Sequence, residues 1–131
     1  MFFKSEKRTY PEVVYARTNA EFLNQKFGTD YRAWMKSRWE YDADTWVWMV
    51  RFDKKMRLDW RNRIVSDDEI WEEYVGKETP TYKTDSKKFR IVVSVKDGCC
   101  GREYHILGTF KLDESKSFVG CHVLRRVKDR F

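Results

Sequence analysis

Strict alternation of apolar and polar positions is clearest in the last third of the chain. Phe89, Ile91, Val93 and Val95 alternate with Arg90, Val92, Ser94 and Lys96. Asp97-Gly98 is a strong turn signal, and Cys99-Cys100-Gly101 extends the connection. Tyr104, Ile106, Gly108, Phe110 and Leu112 then share one face of a second strand, and after the polar stretch 113–117 a third strand is expected over about 118–127. Three strands joined by short connections make an antiparallel meander.

Earlier in the chain the period changes more than once. Residues 1–15 read as an extended arm or edge strand, with Pro11 arguing against a central position. Thr18-Asn19-Ala20-Glu21 has capping-box spacing, Phe22, Leu23 and Phe27 follow at helical intervals, and Gly28 is a natural stop, so a helix is expected over 19–27. Tyr31, Trp34, Met35 and Arg38 lie at i, i+3, i+4 and i+7 and predict a second short helix capped by Thr29 or Asp30. Trp46, Trp48, Val50 and Phe52 alternate, as do Met56, Leu58 and Trp60, which predicts a β-hairpin over 46–63 turning at Asp53-Lys54-Lys55. Ser66-Asp67-Asp68-Glu69 repeats the capping-box spacing ahead of Ile70, Trp71, Tyr74 and Val75, predicting a third helix over 67–75. Residues 76–88 have no apolar period and read as a mobile loop. The expected fold is α+β: an antiparallel, curved or partly barrel-like sheet of five to six strands with two to three short helices, in a single domain spanning 1–131.

Composition adds a second theme. Six Trp, seven Tyr and nine Phe accompany 27 Lys and Arg against 21 Asp and Glu, for a net charge of +6. An acidic segment at 64–86 separates two basic blocks. Aromatic rings can stack bases and cations can neutralise phosphates, while the same rings can also fill a small core. The longest wholly apolar run is Trp46–Val50, far below the ~20 residues of a membrane span, so no membrane partner is expected. The start lacks the apolar region of a secretory signal. With that and an odd number of cysteines (Cys99, Cys100, Cys121), reduced thiols and a cytoplasmic location are expected.

Candidate chemistry is sparse. Cys99, Cys100, His105, Cys121 and His122 fall in the meander, but neighbours on a strand face opposite ways and no C-x-x-C is present, so they read as packed side chains with no metal. Asp97 and Asp113-Glu114-Ser115-Lys116 supply the carboxylates and lysine that a metal-dependent nuclease uses. The acidic cluster Asp67, Asp68, Glu69, Glu72 and Glu73 reads as a solvated helix start. No nucleophile elbow and no phosphate- or dinucleotide-binding glycine pattern is present, so no cofactor is expected. What remains is binding. Arg38, Arg57, Arg61 and Arg63 interleave with Trp60 and its neighbours, and Arg125, Arg126 and Lys128 form a basic end. Asn62, between two arginines, can read a base edge or close a strand with an Asx turn. The sequence therefore points to a non-catalytic domain binding DNA or RNA through a basic, aromatic-lined surface. The alternatives are a small protein-binding module, of the kind by which viruses and mobile elements inhibit host machinery, and, third, the nuclease.

Overall fold

A computed structural model describes residues 12–52, 60–74, 87–117 and 121–128, without the side chains of Trp60 and Tyr74. The chain runs β1 (Glu12–Ala16), α1 (Asn19–Phe27), β2 (Arg38–Asp42), β3 (Thr45–Val50), β4 (Trp60–Ser66), β5 (Glu69–Tyr74), β6 (Phe89–Gly98), β7 (Gly101–Leu112) and β8 (Cys121–Lys128). Among these residues all eight strands join one sheet in the order β2-β3-β6-β7-β8-β5-β4, with β1 beside β7. The sheet is mixed, because β3 runs parallel to β6 while the other pairs are antiparallel. The molecule is thus mostly β with one helix among the described residues, and not the α+β antiparallel arrangement that periodicity predicts.

Helix α1 forms where expected. The Thr18 hydroxyl accepts from the Glu21 N–H at 3.1 Å, and Gly28 takes φ +74° to return its own N–H to Asn24. The expected second helix does not form. Residues 28–37 are a loop in which Asn24 bonds the backbone N–H and C=O of Tyr31, and the Trp34 indole donates to the Arg38 carbonyl. Met35, expected on the apolar stripe, is 91% exposed. Trp39 and its neighbours extend instead to pair with β3, since aromatic residues suit a pleated, half-buried surface.

The expected third helix is also absent. Ser66 to Glu69 forms the turn of the β4–β5 hairpin, with the Ser66 hydroxyl accepting from the Asp68 N–H at 3.2 Å. A hydroxyl two residues before an N–H closes a turn as readily as it caps a helix. The expected 46–63 hairpin is replaced as well: β3 pairs β2 and β6, and β4 pairs β5. Its turn and its residues 56–59 lie outside the described residues, as do the arm before Glu12 and the predicted loop up to residue 86. The meander β6-β7-β8 does form, in the predicted antiparallel order.

Strand β7 has three partners. Its first half pairs β1, its second half β8, and β6 follows its whole length. Register slips at Val92/Val93, opposite Gly108, whose φ of +132° suits glycine. That bulge bends β7 where its partners change.

Two apolar layers result. Phe22 and Leu23 of α1 pack with Val47, Met49, Ile91, Val93, Tyr104 and Ile106 on the outer face, where Phe22 stacks on Tyr104 at 4.5 Å. Trp48, Val50, Ile70, Val92, Phe110 and Leu124 fill the other face. On that face Arg90 of β6 reaches Glu72 of β5 at 3.1 Å, although a flat sheet would hold strands three places apart about 14 Å from each other. The sheet therefore curls, and the face carrying Arg90 and Glu72 is its inside.

Candidate nucleic-acid interface

The inner face is assembled by register. Arg38 lies opposite Trp48, and Trp46 beside Arg90, across β2-β3-β6. Asn62, Glu72 and His122 align across β4-β5-β8. Curling brings the two rows together.

At the centre, Arg90 is 1% exposed, its guanidinium 4.6 Å from the Trp48 ring centroid. One oxygen of Glu72 accepts from Arg90 Nη2 and from His122 Nδ1, each at 3.1 Å. Burial by itself would push the Glu72 carboxyl up. Arg90 foremost, then His122 and Arg38, outweigh it and hold the group at about 2. An ionised carboxylate only accepts, so His122 carries its proton on Nδ1.

Asn62 stands in mid-strand opposite Glu72, not at a turn. It is 6% exposed, and its Oδ1 has no hydrogen-bond partner among the described residues. A buried acceptor without a donor costs about 1–3 kcal/mol. At the rim, the half-buried Trp46 ring has two cations near it, Lys87 Nζ at 4.9 Å and Arg38 Cζ at 5.5 Å from its centroid. Lys87 also bonds Glu40 and the Ala43 carbonyl, each at 3.0 Å.

Of the residues singled out from sequence, Arg38 and Asn62 reach the centre of this inner face, and Arg126 lies on the same side of β8 further along the strand, opposite Phe110. Arg61 and Arg63 project from the opposite side of β4, where Arg63 bonds Glu73 at 3.1 Å and covers Trp71 at 5.1 Å. Arg125 bonds Asp113 at 2.9 Å on the outer face. Arg126 joins Asp68 at 3.1 Å to the Leu107 carbonyl at 3.1 Å, tying the β4–β5 turn to β7. Lys128 is exposed at the end of β8. Arg57 and the Trp60 side chain lie outside the described residues. The single surface expected from sequence is therefore split between two faces. Arg90, Glu72 and His122, which build the inner site, were not among its expected residues. The available signal was Arg90, a lone cation in the apolar run 89–95, since a buried guanidinium demands an acidic partner.

The other candidates separate in space. Cys99 and Cys100 are exposed in the β6–β7 turn. Cys121 is buried on the outer side of β8, where burial and then Glu73 push its thiol up to about 11. No cluster of three or more His, Cys, Asp or Glu side chains able to hold a metal occurs among the described residues. Asp97 pairs with Arg51 at 3.0 Å. Asp113 closes a turn onto Ser115 and pairs with Arg125. With β7 between them, the two aspartates stand about 30 Å apart along the strand direction, too far to share an ion.

The profile of the SET and RING associated (SRA) domain matches residues 4–131. Among solved structures, the 5-hydroxymethylcytosine-specific restriction enzyme AbaSI superposes with a TM-score of 0.68 and 22% identity, over 91% of this chain and 39% of that one. The chain thus spans about two fifths of that enzyme's length. No curated protein matches the sequence.

Proposed function

We propose, from the premise that this chain belongs to the SET and RING associated domain family, that it is a non-catalytic DNA-reading module whose inner face takes up a modified cytosine. Family membership supports DNA as the partner. The similar restriction enzyme is specific for 5-hydroxymethylcytosine, which supports a 5-substituted cytosine as the base.

The observation that carries the reading is the buried, unsatisfied Oδ1 of Asn62 beside the Arg90–Glu72–His122 cluster. Cytosine presents an exocyclic amine donor where thymine presents a carbonyl acceptor. An acceptor held out of water therefore favours the first base and penalises the second. Taking a base from the stack costs a few kcal/mol, and stacking on an aromatic ring returns about 1–3 kcal/mol. Trp46 supplies a half-buried ring at the rim of this face, and Arg38 beside it supplies charge for the backbone. The non-catalytic part of the reading rests on the acids: Glu72, Asp97 and Asp113 are each held by an arginine.

The test is fluorescence polarisation with duplexes that differ at one position: cytosine, 5-hydroxymethylcytosine or thymine. Asn62→Ala should erase the preference for the two cytosine bases over thymine and leave the salt dependence of binding intact. An equal loss on all three duplexes, or an unchanged preference, refutes the reading. Strand cleavage by the unaltered chain with Mg²⁺ refutes its non-catalytic part.

A further inference from the structure

Strands β6, β7 and β8 leave a groove of about 550 Å³ on the outer face, lined by Lys88, Lys111, Arg125 and Val127, with Asp113 and Glu114 at its end. Its cations are set against each other by register. Lys111 lies directly opposite Arg125 across β7–β8, an arrangement that like charges disfavour. Asp113 offsets only part of this, because one of its oxygens is taken by Ser115 and the other by Arg125. Lys88 and Lys111 are exposed and form no ion pair among the described residues. Three cations, Lys88, Lys111 and Arg125, of which only Arg125 is paired with a carboxylate among the described residues, form a site short of an anion.

The groove is continuous with the inner rim through one peptide unit. Lys87 turns to Trp46 on the inner side, and its neighbour Lys88 lines the outer groove. Consecutive cations thus straddle the sheet at the start of β6. We infer that the Lys88–Lys111–Arg125 groove binds backbone phosphates of the DNA that flanks the read base, so that one duplex is held on the inner face and again around the edge of the sheet. This rests on the proposed DNA-reading function. Lysines with no amide or carboxamide aimed between them suit phosphate, which carries charge without base identity.

The test compares the unaltered chain with Lys88→Gln/Lys111→Gln on two duplexes, 8 and 24 base pairs long, each with one central 5-hydroxymethylcytosine. Two lost phosphate contacts should flatten the log–log salt slope by about 1.8, so the affinity lost between 50 and 200 mM salt should shrink by about 12-fold. That change should appear on the long duplex alone, at 1:1 stoichiometry. The preference for 5-hydroxymethylcytosine over thymine should persist, which separates this result from failure of the Asn62 reading. A slope unchanged on both duplexes, or flattened equally on both, overturns the inference. Two duplexes bound per chain, or polyglutamate competing as well as the long duplex, also overturns it. Thermal melting checks that the variant folds, and Lys88→Gln alone, expected to give half the change in slope, serves if it does not.

Discussion

Replacing Glu72 by Gln tests how the inner face is held. The side chain keeps its shape and an acceptor oxygen, but the charge facing Arg90 is lost. The carboxyl is held at about 2 against a usual 4.5, and at about 1.4 kcal/mol per pH unit this corresponds to roughly 3 kcal/mol of stabilisation near neutral pH. Leaving the Arg90 guanidinium buried without its counter-charge independently suggests a loss of about 3–5 kcal/mol. Because the folded-state value is depressed, this stability is present above pH 4.5 and fades as pH falls from 4.5 towards 2. Urea unfolding followed by tryptophan emission should therefore show a gap of roughly 3 kcal/mol between the parent and Glu72→Gln at pH 7, closing steadily below about pH 4.5. The double variant Glu72→Gln/Arg90→Met should recover most of the loss, since an apolar side chain needs no partner there. A gap below about 1 kcal/mol at pH 7, or one independent of pH, would show that Glu72 and Arg90 do not form the ion pair that closes the sheet.

Thiol chemistry should divide the cysteines. Cys99 and Cys100 are exposed and should react with Ellman's reagent in the native protein, while Cys121, with its thiol pushed up to about 11, should react only on unfolding; three fast equivalents would contradict its burial. Thr18→Ala removes the hydroxyl that accepts from Glu21 N–H and should cost about 1 kcal/mol in urea unfolding, whereas a loss below about 0.3 kcal/mol would mean the cap contributes nothing. Gly28→Ala forces a side chain into φ +74° and should destabilise by about 1 kcal/mol, a result that unchanged stability would contradict.

Helix α1 and the β6-β7-β8 meander are legible in the sequence because their signals are local and redundant. Thr18 and Gly28 bracket α1, and period-two alternation persists through strands of eight to twelve residues. The segments around Trp34 and Ile70 carry signals that fit a helix or a strand. Their state is decided by strand partners: Trp39 by Val47 across the β2–β3 turn, and Trp71 by Val123, distant in sequence. Arg90 was hidden for a different reason. Alternation marks it as an outward polar position, but the sheet curls so that the face carrying it becomes the inside. Asn62 was visible as a candidate reader because its amide stands alone among charged neighbours, yet only the register with Glu72 shows that it is buried in mid-strand.

Among the described residues, β5 enters the sheet only through β8, and β4 only through β5. Asn62 and Glu72 are therefore made early by the ribosome but have nowhere to settle until residues 121–128 have emerged. The hairpin that carries them must wait as an unattached ribbon, and isolated two-stranded ribbons are marginal in water. The nascent chain can thus bury its helix against β1, β3, β6 and β7 before Asn62 and Glu72 take their places on the inner face. The inner face is completed as a late step, set by β8, the last of the described strands.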